Sequence, residues 1–190
     1  MIPNIKHVTA AGVSSDDVYS SEFARRRIYL TQEITPAASA DVCAQLLCLA
    51  AQSREDIHLI IQSPGGQVSA ALAILDTMDL CGCDVNTYVF GEAASAAALL
   101  ASAGKRRFIA PNAEMMIHQP IGGASGQATD IERTARHILK IKKRVHTILA
   151  RNTGKPYETI CEDCERDYFL DAGEAIAYGL ADELFPGFDA

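Results

Sequence analysis

The chain has 190 residues, 48% hydrophobic and 22% charged, with 17 Lys and Arg against 24 Asp and Glu and a formal net charge of −7. This length supports one domain with its own core, the apolar share excludes a disordered chain, and the acidic balance argues against partners such as nucleic acid or an anionic membrane. A mean hydropathy of +0.05 is high for a monomer and points to apolar surface shared between subunits.

Residues 1–20 contain Gly12, paired serines and Asp16-Asp17 with no sustained period, which predicts a flexible segment ahead of a single domain over 21–190. The start carries neither a basic-then-apolar leader nor an Arg/Ser-rich transit pattern. The longest run free of charges and turn residues, 93–103, is far short of the roughly 20 residues that span a bilayer. The expected location is cytoplasmic, with no membrane contact and with the six cysteines kept as thiols. Cys81-Gly82-Cys83 is spaced too tightly for the usual zinc pair, and Cys161 and Cys164 fall in a helical stretch, so all read as small buried hydrophobes and no metal is expected.

Arg27-Ile28-Tyr29-Leu30 reads as a short strand. Thr35-Pro36 then supplies an N-cap and a first-turn proline to a helix with apolar positions at Val42, Leu46, Leu49 and Ala50. Residues 57–62 form a near-continuous apolar strand of the kind buried on both faces of a parallel sheet, and Ser63-Pro64-Gly65-Gly66 turns it into a helix over 68–79, closed at Gly82. The strand at 85–90 breaks at Gly91-Glu92 and feeds an Ala/Leu-rich helix over 95–103. Short strands at 107–109 and 115–118 flank the turn Pro111-Asn112-Ala113. A glycine-rich stretch, 119–127, leads to one long helix over 130–152, with Ile131, Ile138 and Val145 on one stripe. At about 1.5 Å per residue this helix outruns a core of this size and should project towards another subunit. A helix at 158–165, a strand at 168–170, the capping-box pattern Asp171-Ala172-Gly173-Glu174, a helix to Tyr178 and a last strand within 180–185 complete an α/β chain with crossover units.

Ser95 follows a buried strand and a Gly-containing turn and opens a helix between small residues, so its hydroxyl sits at a strand's carboxyl end. A plain N-cap serine has the same signature, and the pattern is not Gly-x-Ser-x-Gly, so the α/β-hydrolase elbow is not expected. The Gly65-Gly66 pair can present backbone N–H groups to an oxyanion, although simple turn chemistry explains it equally well. His118 ends an apolar strand, where a neutral imidazole can take a serine proton; His7, His58, His137 and His146 are worse placed. Asp167 can orient that imidazole, a test that Glu165 and Asp163 also pass. Lys140, Lys142, Lys143 and Arg144 spread around their helix instead of forming a basic face for nucleic acid.

Five segments occur together and in order: Ser63-Pro64-Gly65-Gly66, Gly91-Glu92-Ala93-Ala94-Ser95, Met116-Ile117-His118-Gln119-Pro120, Gly126-Gln127-Ala128-Thr129-Asp130-Ile131-Glu132 and Glu165-Arg166-Asp167-Tyr168-Phe169-Leu170. Over residues 19–184 this resembles the ClpP family, the serine-peptidase subunits of Clp proteases. The resemblance implies the ClpP/crotonase-like fold of repeated ββα units, with a projecting handle at 119–152 and residues 1–20 as an axial gate. It implies Ser95 as nucleophile, His118 as general base and then acid, Asp167 as the orienting residue, and the N–H groups of Gly66 and Ala96 as the oxyanion hole. Glu165, Arg166, Gln127 and Glu132 would lie at a ring–ring contact. The implied assembly is two stacked heptameric rings, homomeric or mixed with a second ClpP, fed unfolded polypeptide by a hexameric AAA+ unfoldase of the ClpX, ClpA or ClpC type. No cofactor is implied for the chain itself; ATP belongs to the partner, because the chain shows no Walker motif. The chain departs from the family pattern at Ala96-Ala97, where the family has Met-Gly, at Gln62 in place of Asn, and at Glu92 in place of Gln. The alternatives are a poorly active paralogue serving a mixed ring and a crotonase-like acyl-CoA enzyme.

Overall fold

In the computed structural model, which describes residues 3–9 and 12–188, a hairpin of β1 (Asn4–Thr9) and β2 (Gly12–Asp17) precedes helix α1 (Val18–Ala24). Three strands then run into helices: β3 (Arg27–Leu30) into α2 (Pro36–Gln52), β4 (Ile57–Ser63) into α3 (Val68–Leu80), and β5 (Val85–Ala94) into α4 (Ala96–Ala101). After β6 (Arg107–Ile109) and β7 (Glu114–Ile117) come α5 (Ala128–Thr153), α6 (Tyr157–Asp163), β8 (Tyr168–Asp171), α7 (Ala172–Tyr178) and β9 (Glu183–Leu184). The sheet runs β3-β4-β5-β6-β9, all parallel, and β7 leaves that path to pair with the carboxyl end of β5 and, antiparallel, with β8.

Local chemistry sets these elements. Thr35 accepts a hydrogen bond from the Ala38 amide at 3.1 Å, with Pro36 in the first turn, and Asp171 and Glu174 complete the capping box that starts α7. One face of the sheet, carrying Ile28, Leu30, Ile57, Leu59 and Ile61, buries the apolar stripes of α2 (Leu46, Leu49) and α3 (Ile74, Met78). Each such aliphatic side chain contributes about 1.5–3 kcal/mol by leaving water. The opposite face carries Ile60, Tyr88 and Phe108, and Phe185 and Phe188 from the chain's end fold across it. The 57–62 strand is therefore covered on both sides, as its near-continuous apolar run predicts. Arg107 ties the last strand down by donating to the carbonyls of Ser102, Asn152 and Gly179 while pairing with Asp182.

The structure departs from the sequence reading in three places, at β5, at the N-terminal segment and at the last strand. β5 does not stop at Gly91-Glu92 but bulges there and continues to Ala94, the register against β4 shifting between Ile61 and Ser63, with Gly91 at φ 65°. The N-terminal segment, of which Met1, Ile2, Ala10 and Ala11 lie outside the described residues, forms a hairpin where no regular structure was expected. The sequence over 4–17 carries no sustained hydrophobic period that would betray these strands. Asp17 caps α1 by accepting from the Ser20 amide at 2.8 Å, and Glu22 of α1 accepts from Arg27 and Tyr29 of β3, at 2.9 and 3.0 Å. Residues 119–127 are irregular in this single chain, and the strand expected within 180–185 shrinks to two residues.

The long helix is longer than expected, 26 residues or roughly 39 Å. It buries only Val145, His146 and Leu149 near its carboxyl end, and leaves Ile131 and Leu139 exposed. Among the described residues no helix is long and apolar enough to cross a membrane. All six cysteines are free; the thiols of Cys81 and Cys83 donate to the carbonyls of Met78 and Ser53.

Two histidines are held inside this framework. Burial first, then the cations Arg27 and Lys142 respectively, pushes the imidazoles of His58 and His146 below the ordinary histidine range. An unfolded histidine takes its proton near pH ~6.5, where the folded rings are still neutral, so the unfolded chain binds more protons and stability falls as pH drops through that value. The urea midpoint is therefore expected to fall between about pH 8 and about pH 5, with a shallower slope in His58→Gln and in His146→Gln. Slopes unchanged in both variants would refute this origin.

Candidate active site

Three strand ends converge at one edge of the sheet. The parallel register Ala93↔Met115 and Ala94↔Met116 sets Ser95 level with Ile117, and the Ser95 amide donates to the Met116 carbonyl at 2.7 Å. The antiparallel register Met116↔Phe169 and Ile117↔Tyr168 sets His118 opposite Asp167 one step further on. The side chains meet accordingly. Asp167 Oδ1 accepts from His118 Nδ1 at 3.0 Å, which leaves Nε2 free to accept from the Ser95 hydroxyl at 2.7 Å. The three residues picked from the sequence thus form one hydrogen-bonded line. The two competing acids are engaged elsewhere: Glu165 binds Lys142 at 3.0 Å, and Asp163 accepts from Tyr178 at 2.6 Å.

Ser95 is not a capping serine. It occupies the N-cap position of α4 yet makes no capping bond, because its hydroxyl is turned to His118. Its backbone, at φ 56° and ψ −119°, lies where a residue with a side chain is strained. This is a sharp strand-to-helix turn at the place the sequence gives Ser95, and it is flanked by the small residues Ala93, Ala94, Ala96 and Ala97 in place of a Gly-x-Ser-x-Gly pattern. Gly65 packs directly against this turn: a Cβ there would meet the Ala94 carbonyl oxygen at 2.6 Å and Ser95 Cβ at 2.9 Å.

The neighbouring Gly66 forms a parallel bridge with Ile34. Ile34 uses both its backbone groups in that bridge, donating to Gly65 at 2.7 Å and accepting from Gln67 at 2.9 Å. The amide and carbonyl of Gly66 therefore face the other way, towards the cleft that Gly66 lines together with Ser95. Ala96 is the first residue of α4, so its amide belongs to the turn whose N–H groups have no intrahelical acceptor. The cleft has a volume of about 560 Å³ and is lined by Gly65, Gly66, Gln67, Met116, Pro120 and Ile121 among others. A small apolar recess behind Ser95 is closed by Ala96, Leu99, Val145 and Leu149.

The remaining candidates lie outside the line of three. Glu165 flanks it, held below the usual carboxylate range by Lys142. Arg166 immediately precedes Asp167. Gln127 is the N-cap of α5, and Glu132 pairs with Arg136 on that helix at 2.8 Å. His58 contacts the Tyr88 hydroxyl and His146 contacts the Cys161 thiol, both away from the cleft. Two features escaped the sequence reading. Lys142, read from the sequence as one of four cations spread around their helix, turns in to bridge Gln119 at 2.9 Å and Glu165 at 3.0 Å. Glu33 lines the cleft; the signal for it was the parallel β3–β4 pair, which brings the residues after both strands to one edge.

Comparison with known proteins covers nearly the whole chain. The family model described as Clp protease matches residues 10–187. A protein named ATP-dependent Clp protease proteolytic subunit 2 from Chlamydia muridarum is 47% identical over 187 residues, covering 97% of this chain and 92% of its own length. Those of the same name from Chlamydia trachomatis serovar D and Chlamydia pneumoniae are 46% identical over the same shares of both chains. With nearly its whole length matched, the chain belongs to the Clp protease family.

Proposed function

We propose that the chain is the proteolytic subunit of an ATP-dependent Clp protease, a serine endopeptidase that cuts unfolded polypeptide through an acyl-enzyme. The observation that carries this reading is the unbroken line from Asp167 through His118 to the Ser95 hydroxyl. Asp167 holds the tautomer in which Nε2 has a free lone pair. Nε2 takes the hydroxyl proton as Ser95 Oγ attacks the scissile carbonyl, and the carbonyl oxygen becomes an oxyanion facing the Gly66 and Ala96 amides. Two such donors lower the barrier by about 3 kcal/mol each. The imidazolium then gives its proton to the leaving amine, which departs as the C–N bond breaks. A water deprotonated by the same nitrogen attacks the ester and regenerates Ser95. The Ala96-Ala97 departure leaves this chemistry intact, since the donor is a backbone group.

The assembly is read in the same way. Exposed Ile121, Ile131, Leu139 and Phe169 give the chain apolar surface that a second copy would cover. The projecting half of α5 and the irregular 119–127 segment form the handle between two stacked heptameric rings, with Gln127, Glu132, Glu165 and Arg166 at that contact. The β1–β2 hairpin is the axial gate through which a hexameric AAA+ unfoldase delivers substrate. Hydrolysis of ATP belongs to that partner.

Three substitutions test the chemistry on short fluorogenic peptides. Ser95→Ala is expected to lower kcat about 10⁶-fold while native mass spectrometry shows unchanged assembly; retained turnover would overturn the nucleophile. Asp167→Asn leaves the shape but favours the wrong tautomer, for an expected loss of about 10⁴-fold in kcat with little change in KM. Gly65→Ala drives a methyl into the turn at Ser95 and is expected to cost about a hundredfold in kcat at unchanged secondary structure by circular dichroism.

A further inference from the structure

The cleft is lined mostly by apolar side chains and a glycine turn, with one charged exception. Among the described residues that line it, Glu33 is the one carboxylate, and no lysine or arginine lines it. Glu33 is exposed, and its carboxylate has no ion pair or side-chain hydrogen bond among the described residues. Its backbone is fixed, however. Ile34, the next residue, is bonded to both flanks of Gly66, so Glu33 stands beside the turn that faces the scissile carbonyl.

We infer that Glu33 is a specificity-determining residue, favouring cleavage next to a lysine or arginine of the substrate and disfavouring an acidic residue there. This rests on the peptidase reading above. A substrate whose carbonyl oxygen lies against the Gly66 and Ala96 amides must run past the Ile34 bridge. Extended chain advances about 3.3 Å per residue, so side chains within two residues of the cut bond fall within the reach of a long cationic stem from Glu33. The only charge on the walls then attracts a cation and repels a carboxylate. Because the group is open to water, the gain is that of an exposed ion pair, roughly threefold to fivefold in kcat/KM, and it fades in salt.

The test uses the purified protein and a synthetic peptide mixture in which the residues flanking one cleavable bond are varied, with products read by mass spectrometry. In the wild type, Lys and Arg are expected to be enriched over Asp and Glu at one position within two residues of the cut. Glu33→Gln should remove that enrichment and Glu33→Lys should invert it. The ratio is read within each variant, so a change in overall turnover does not enter. An enrichment unchanged in Glu33→Gln overturns the inference, as does a wild type that cuts uncharged peptides with no basic preference; both leave the peptidase reading standing. Failure of the wild type to cut any peptide, together with failure of a fluorophosphonate to label Ser95, overturns that reading and this inference with it.

Discussion

The hydrogen-bonded line of Ser95, His118 and Asp167 depends on the register of one short strand. β7 lies between β5, parallel, and β8, antiparallel, and this double pairing brings a serine, a histidine and an aspartate, far apart in sequence, to one edge. The register is locked by burial: Met115 and Ile117 point into the core, while Glu114, Met116 and His118 point out. A slip of one residue would exchange the two sets, exposing two core side chains and turning His118 inward. It would also move Asp167 by about 3.3 Å, more than the whole length of its bond to the imidazole. The cost of exposing the core is thus what enforces the geometry.

Strain at Ser95 is held by the same framework. A residue with a side chain in that backbone region costs of order 1–3 kcal/mol. The sites that hold it in place surround it: the Ser95 amide bonded to β7, every residue of α4 buried, and Gly65 without a Cβ against the turn. The run of alanines from 93 to 98 serves both ends of this arrangement. Small side chains let the glycine turn approach, and their burial anchors the helix that would otherwise relax the turn at Ser95.

Much of this was legible in the chain, where each element announces itself locally. Thr35-Pro36, the apolar run from Ile57 and the Asp171–Glu174 box carry their own signals, and each appears within a few residues of its expected place. The grouping of Ser95, His118 and Asp167 was legible because these residues close or open strands and because five segments occur in a known order. What was hidden is pairing. The strands β1 and β2 come from a segment with no sustained hydrophobic period, the bulge at Gly91 imitates a strand end, and the inward turn of Lys142 depends on α6 lying beside α5. Glu33 was hidden for a related reason. Its neighbours in the cleft come from three other stretches of chain, and only the sheet order puts them side by side.

Asp167 shows how the pairing and the long helix act together. Its side chain is 60% exposed, so packing does not position it, whereas the His118 side chain is only 12% exposed. Its place comes from the backbone on both sides. On one side is the β7–β8 ladder; on the other, the Gln119 amide donates to the Cys164 carbonyl at 2.7 Å and its side chain donates to the Glu165 carbonyl at 3.0 Å. Burial pushes the Cys164 thiol up to about 12, so that side chain remains a neutral packing group. Lys142 closes the second tie from α5 by binding both Gln119 and the Glu165 carboxylate. The residues just after His118 and just before Asp167 are therefore gripped by one lysine on the helix that projects from the domain. An exposed carboxylate keeps its 3.0 Å bond to the imidazole only as long as those two segments stay together. The carboxyl-terminal turns of α5, docked through Val145, His146 and Leu149, fix where that lysine stands.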